Sequence, residues 1–461
     1  MATNIIGDTE WNGLPMPRRL GAIVAVAFGV SLSVIDSVIA NVALPTLASE
    51  FGTSSANSVW IVNAYQLALI TTLLIFSNLG DILGYRRIYI SGLVLFTVAS
   101  AGCALSTTFA SLIAWRAVQG IGAAAITSVN TTLIRIIYPR RMLARGMGIN
   151  ATVVAVSSVA AAILSVTTWH WLFAVNLPIG LIAFILSSRF LPQNPVKVEG
   201  RRFDWRSGVM CALTFGLVMA CVEGYSHGMS LHVWFVLAAV AAVVAWRFVT
   251  DQLRKPMPIL PFDLLRIPIF SLSIVTSICS FTAQMLAMVS LPFILQHSMG
   301  YDAVSTGLIF TAWPMVIMVV APLAGVLAER IHAGYLGLTG LLIMTFGLVM
   351  LGLLPSSPTD FDIIWRLVLC GMGFGLFQSP NNSIMIASAP QHRSGSASGM
   401  LATARLTGQT MGAALVAFFF HWHGGETTMT PLFVAAAFAF FGAMLSASRI
   451  HLPLPEGLRR K

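Results

Sequence analysis

The chain alternates long apolar runs with short polar breaks. The runs fall at about 20–44, 57–76, 88–106, 109–134, 145–166, 170–188, 206–224, 231–250, 270–296, 304–328, 335–354, 361–387, 395–420 and 431–448. Each is close to the roughly 20 residues a helix needs to cross a bilayer. The pattern therefore predicts fourteen membrane-spanning helices.

Lys and Arg provide an independent test, because they gather in cytoplasmic loops. Arg18 and Arg19 precede the first run, and Arg86 and Arg87 follow the second. Arg135, Arg140, Arg141 and Arg145 follow the fourth. Further groups follow the sixth, eighth, tenth, twelfth and last runs, and the intervening loops contain none. A missed span would invert this alternation from that point on. Both termini are therefore expected in the cytoplasm, and the polar start Met1–Pro17, with Asp8 and Glu10, is not expected to be a cleavable signal.

Composition agrees with a bilayer as solvent: only 9% of the 461 residues are charged and 57% are hydrophobic, whereas soluble domains carry about 25% charge. The net charge of +10 is dispersed in loops, so nucleic acid is not an expected partner. Cys103, Cys211, Cys221, Cys279 and Cys370 all lie in apolar runs with no CxxC pair, and read as packing residues. The outer His421-Trp422-His423 has no nearby acid or cysteine, so no metal is expected there.

The chain also repeats itself. Leu79-Gly80-Asp81 is echoed by Leu327-Ala328-Glu329-Arg330, and Arg145 by Arg393, both at an offset of 248 positions. Trp115-Arg116-Ala117-Val118 is matched by Trp365-Arg366-Leu367-Val368 two positions off that register. The expected fold is an all-α membrane protein: a six-helix bundle in 1–188, a linker with two inserted helices in 189–268, and a second, pseudo-symmetric six-helix bundle in 269–461.

An acid inside a span is costly and therefore a functional candidate. Of the sixteen acids only Asp36 lies well inside a run. Helix rise brings it to the same outer half as Arg116 on the fourth span. Such a pair suits proton coupling, since burial and a neighbouring guanidinium act on the carboxyl in opposite directions; a fixed structural ion pair is the alternative. The 248-residue offset carries Asp36 to Gln284, so any coupling is asymmetric. At the end of the second span, Ser77-Asn78-Leu79-Gly80-Asp81-Ile82-Leu83-Gly84-Tyr85-Arg86-Arg87 combines a tight turn, an acid and two cations. Asp81 is placed to cap a helix or pair with a cation across the boundary between halves. With the repeated site, the candidate gating set is Asp81, Gly84, Arg86, Arg87, Glu329 and Arg330. A small-residue face, Gly120-Ile121-Gly122-Ala123, permits close packing of the fourth span.

These stretches resemble the major facilitator superfamily, specifically its fourteen-span drug:proton antiporters, over nearly the whole chain. Ile35-Asp36-Ser37-Val38-Ile39-Ala40-Asn41-Val42-Ala43-Leu44-Pro45 resembles the first-span signature. The 77–87 loop resembles the superfamily loop motif, and Arg116 to Gly122 the fourth-span motif. Trp169-His170-Trp171-Leu172-Phe173-Ala174-Val175-Asn176-Leu177-Pro178-Ile179-Gly180 and Gln391-His392-Arg393-Ser394-Gly395-Ser396-Ala397-Ser398-Gly399 are similar to further stretches of that subfamily. The resemblance implicates Asp36 and Arg116 in proton coupling and Asp81, Gly84 and Arg86 in gating. Two departures stand out: Ser77 replaces a usual glycine, and Asn150 to His170 lacks the Gly-Pro pair of the antiporter motif. The second implies a leaky or coupling-impaired variant.

A cavity between the halves would be lined by Asn63, Tyr65, Gln66, Asn130, Gln284, Met288, Gln296, Trp313, Phe377, Gln378 and Asn381. Aromatics, Met and amides suit amphiphilic ligands, and one buried acid favours cations. The expected function is proton-driven export of amphiphilic, cationic toxic compounds across a bacterial inner membrane by a monomer. Small amphiphiles, protons and lipid are its partners, and no cofactor is involved. An ordinary metabolite is the alternative cargo. An enzyme is not expected, because no nucleotide loop, metal cluster or nucleophile with a base is present.

Overall fold

In the computed structural model the apolar runs fold as helices whose starts are fixed locally. Thr108 accepts from the Ser111 amide at 3.2 Å while Ser111 returns the bond, and Thr359 and Asp362 make the same reciprocal cap. The structure describes residues 13–42, 47, 50–53, 60–164, 169–193, 203–226, 229–255, 258–355, 357–422 and 428–452. Residues 43–46 of the first-span motif, the loop cations Lys197, Arg201 and Arg202, His423 and the C-terminal basic cluster lie outside them, as do the side chains of residues 37–42 and of His421 and Trp422.

The principal helices are α1 (Met16–Val42), α2 (Trp60–Leu83), α3 (Tyr85–Ala104), α4 (Phe109–Ile137), α5 (Leu143–Leu164), α6 (Asn176–Phe190), α7 (Trp205–Ser226) and α8 (Leu231–Leu253). They continue with α9 (Pro268–Phe293), α10 in two pieces (Ala303–Phe310 and Ala312–Leu327), α11 (Ala333–Gly352), α12 (Asp360–Ser388), α13 (Ser394–Trp422) and α14 (Thr430–Ser448). Among the described residues, nine helices are long and apolar enough to cross a membrane: α1–α4, α8–α11 and α14. The others differ for physical reasons. The apolar parts of α6 and α7 are shorter. In α12 and α13, buried Asn381, Ser383 and Ser398 and partly exposed Arg405 and Gln409 lower the mean hydropathy.

Helices α1–α6 pack on one another, with α4 against α2 and α3, and α1 against α5 and α6. Helices α9–α14 form a second group in which α9 lies along α13 and α14, and α12 along α10 and α11. The groups meet through α5 with α10 and α12, and through α13 with α2 and α4. The pair α7–α8 leans on α2. Its base is tied by Asp204, which accepts from the Ser207 amide at 3.1 Å and from Lys255 Nζ at 2.6 Å. Burial alone would raise the Asp204 carboxyl, but the Lys255 ammonium and the Ser207 donors outweigh it and hold it at about 2.

Close approach depends on glycine at specific points. A Cβ on Gly120 would lie 2.3 Å from the Tyr65 carbonyl oxygen, and one on Gly122 2.7 Å from the Phe96 nitrogen. These are backbone obstacles that no side-chain rotation relieves. Gly84, at φ 108°, makes the turn between α2 and α3 that other residues adopt only with strain. Gly122→Val is expected to lower stability by about 1–3 kcal/mol, read as a reduced melting temperature of the purified chain; an unchanged melting temperature would refute this account of the α3–α4 contact.

Candidate functional site: a buried ion pair and an interhelical gate

Asp36 stands on α1, 1% exposed, facing the interior of the first helix group. Its Oδ2 accepts from Arg116 at 2.6 Å; its Oδ1 accepts from Gln119 Nε2 at 2.7 Å and Asn176 Nδ2 at 2.9 Å. Arg116 also donates to the Ile61 carbonyl at 3.1 Å and to Gln119 Oε1 at 2.6 Å. Its guanidinium lies 4.5 Å above the Tyr65 ring centroid and 5.6 Å from that of Phe173. Ser100 closes the network, receiving bonds from Gln119 and Asn176. Five helices, α1, α2, α3, α4 and α6, thus share one network, in which α4 and α6 bond the α1 carboxylate directly. Gln119 and Asn176 both fall within motif stretches, but neither stood out as a site residue, because a neutral amide in an apolar run gives no charge signal.

At one end of the molecule the two helix groups are bonded together. Asp81 caps α13: its Oδ1 accepts from the Gly395 amide at 2.8 Å, and its Oδ2 from the Ser396 amide at 3.2 Å and hydroxyl at 2.9 Å. Tyr85 adds a bond to the same carboxylate at 2.8 Å. Ser77 donates to the Gly395 carbonyl at 2.6 Å, so this departure from the usual glycine forms part of the contact. Thr132 and Arg135 of α4 bond Ser394 at 2.7 and 2.8 Å. On the other side of the same end, Arg145 meets Glu329 at 3.1 Å, and Ser379 donates to the Ala144 carbonyl at 2.8 Å. There a Cβ on Gly148 would sit 2.4 Å from the Ala321 carbonyl oxygen.

The remaining gating candidates sit apart from this contact. Arg86 donates to the Ser188 carbonyl, tying α3 to α6, and Arg87 and Arg330 are exposed. Arg393, the repeat partner of Arg145, bonds Asp263 at 2.7 Å and the Pro258 carbonyl at 3.1 Å instead of facing Asp81.

The cavity candidates divide. Asn63, Gln66, Gln284, Met288 and Gln378 are partly exposed, and Gln296 is exposed in the turn Ile294–Ser298. Tyr65 stacks on Arg116, and Asn130 donates to Asn150 at 3.1 Å. Trp313 and Phe377 are each 1% exposed in the second group's apolar core, and Asn381 is committed to Arg449 and Ser277. In this conformation these three have no face free for a ligand. A further residue, Arg405, lies inside the thirteenth run and was legible by the same rule that singles out Asp36, since an intramembrane cation is as costly as an anion.

The Major Facilitator Superfamily family model matches residues 26–413. The chain is 55% identical over 447 residues to the uncharacterized transporter YebQ of Escherichia coli (strain K12), covering 96% of this chain and 98% of that protein. It is 30% identical to the multidrug resistance protein Stp of Mycobacterium tuberculosis (strain CDC 1551 / Oshkosh), over 86% of this chain and 75% of that one. The structure of the human organic anion transporter MFSD10 superposes with a TM-score of 0.70 at 15% identity, covering 94% of this chain and 100% of that one, a likeness of fold alone.

Two predictions follow from the geometry. Asp36→Asn and Arg116→Gln should each destabilise the chain, while the double variant costs less than their sum by about 1–3 kcal/mol; additive losses in thermal unfolding would refute a coupled pair. Asp81→Ala should loosen the end contact by about 1–3 kcal/mol, against under about 1 kcal/mol for Glu329→Ala, whose ion pair is partly solvated. Maleimide labelling of a cysteine placed at buried Ala402, in a chain cleared of its own cysteines, reads the difference; equal labelling in both variants would refute it. By its family model and its full-length relatives, the chain is a multi-pass transporter of the major facilitator superfamily and not an enzyme.

Proposed function

We propose that this protein is a proton-driven exporter of amphiphilic small molecules, working by alternating access in a bacterial inner membrane. It crosses the bilayer fourteen times, as a monomer, with both termini in the cytoplasm. The bundles are those of 1–188 and 269–461, joined by the linker and inserted pair of 189–268. Asp36 and Arg116 are the proton-coupling pair, and the Asp81 cap with the Arg145–Glu329 bridge is the cytoplasmic gate.

The observation that carries this reading is the Asp36–Arg116 bond of 2.6 Å, with both side chains at most 1% exposed. An ion pair that deep is a poor source of stability, because desolvation offsets most of the attraction. Its retention makes sense if protonation of the carboxylate releases Arg116 and reorganises the helices it bonds. With the predicted topology, the bonded end of the molecule is the cytoplasmic one, so this conformation is closed to the cytoplasm. Stp, a multidrug resistance protein by name, supports an amphiphilic cargo and export.

The cation preference rested on a free acid in the cavity. Here the Asp36 carboxylate is occupied by three donors, Arg116 among them, so that preference loses its basis. A second reading, altered coupling, is favoured by α5. Its helix extends over Leu143–Leu164, with no glycine or proline from Asn150 onward.

The deciding measurement is uptake of anionic, neutral and cationic amphiphilic dyes into inverted vesicles, with and without a pH gradient. Accumulation should require the gradient and disappear in Asp36→Asn. Gradient-independent accumulation, or an unaffected variant, would overturn the mechanism.

A further inference from the structure

Arg405 lies twelve residues into α13, and α13 begins in the bonded end of the molecule at Ser394. Gly399 is still part of that contact, since a Cβ there would meet Ser77 Oγ at 2.4 Å. Arg405 is six residues further, about 9 Å beyond the contact along the helix axis. The guanidinium is thus placed in the middle of the membrane, just behind the closed end.

Its direction follows from the rest of α13. Thr407 and Phe418 are exposed and mark the lipid-facing side. Gly408 and Gly412 are pressed against α9, and Gly399 against α2. At about 100° per residue, Arg405 projects from the side opposite Thr407 and Phe418, between the α2 and α9 contacts. Gln409, one turn on, shares that side. Both are partly exposed while turned away from lipid. That combination turns both side chains toward the contact between the two helix groups.

The chemistry of Arg405 is incomplete. Two buried arginines are answered: Arg116 by Asp36, Gln119 and Ile61, and Arg449, just after α14, by Asn381, Ser273 and Ser446. Arg405 forms no hydrogen bond or ion pair with any described residue, whereas Arg116 and Arg449 each leave only one buried nitrogen without a partner. The neighbouring charged pair does not answer it either. Tyr65, which lies within electrostatic range of Arg405, is already stacked on Arg116, and the Asp36 carboxylate is filled. A guanidinium cannot lower the cost of burial by losing its proton, and its planar fork matches carboxylate and phosphate oxygens bidentately. A structural arginine here would cost stability with no return; a binding arginine recovers the cost when an anion arrives.

We propose that Arg405 anchors an acidic group of the transported molecule, so that the cargo is an amphiphile bearing a carboxylate, phosphate or sulfonate and not a permanent cation. The partly exposed amides Gln409 and Gln284 supply further polar surface. The inference rests on the transport route running between the helix groups, but it does not depend on proton coupling.

Two xanthene dyes of opposite charge test it: fluorescein, an anion at neutral pH, and rhodamine 6G, a cation. Binding to the purified full chain in nanodiscs is read by fluorescence anisotropy. The native chain should bind fluorescein at least about tenfold more tightly than rhodamine 6G. Arg405→Ala and Arg405→Gln should remove that preference by weakening fluorescein binding without weakening that of rhodamine 6G, and Arg405→Lys should retain part of it. Fluorescein binding no tighter than that of rhodamine 6G, or unaltered by either neutral variant, would overturn the proposal. Asp36→Asn should keep the dye preference. An intact preference in a chain that shows no gradient-driven uptake would instead sink the proton-driven reading alone.

Discussion

Hydrocarbon offers no water to a charge, so every ionised or polar group carried into the bilayer must find its partner within the protein. The arrangement of this chain follows from how it meets that demand. Asp36 recruits three donors from two other helices, and Arg116 binds a carbonyl on a third. Arg449 does the same for the second group through α9 and α12. Each bundle is therefore pinned around one cation, and the glycines that let helices touch backbone to backbone bring the partners within reach. The two cores are not equivalent. One holds an acid; the other holds only neutral amide and hydroxyl partners.

The same inequality runs through the contact between halves. Positions 81 and 329 are related by the internal repeat, as are 145 and 393. Symmetry alone would give two matching acid–arginine bridges. One exists, between Arg145 and Glu329. At the other place Arg393 is drawn away by Asp263, just after the inserted helices, and Asp81 turns to the amides at the start of α13. The buried cap and the partly solvated bridge respond differently to salt and water, because screening weakens the exposed pair far more than a carboxylate enclosed among helix amides. The segment that follows the inserted pair thus makes the two sides of the contact between halves unlike.

Much of this was legible in the sequence. Alternating apolar runs and loop cations reveal a helical membrane chain, and the 248-residue repeat reveals its two halves. Asp36 and Arg116 stand out because charge in an apolar run is expensive, and Asp81 because it stands in a polar turn with glycine and cations. What stayed hidden is whatever depends on orientation. Trp313, Phe377 and Asn381 read as cavity residues by composition, yet the turn of each helix sends them into the core or to Arg449. Gln119 and Asn176 are as close to the Asp36 carboxylate as many salt-bridge partners, but a neutral amide leaves no trace in hydropathy or charge. Arg405 is the reverse case: its signal is plain, and its meaning emerges only once the other acids prove to be occupied.

Two helices connect the ion pair to the gate. α2 offers the Ile61 carbonyl to Arg116 near one end and Asp81 to α13 near the other. α4 carries Arg116 itself and, further along, Thr132 and Arg135, which bond Ser394. From Ile61 to Asp81 is twenty residues, about 30 Å of continuous helix. α2 and α4 are locked to each other where Gly120 lies against the Tyr65 carbonyl. A packed pair of that kind moves as one body more readily than it bends, because its interior is too dense to deform locally. In the proposed mechanism, a change in what Arg116 bonds at one end displaces the surface that holds α13 at the other. Arg405 rides on that same α13, six residues from the contact, so the proposed anion site and the Asp36 network lie on opposite sides of one interface.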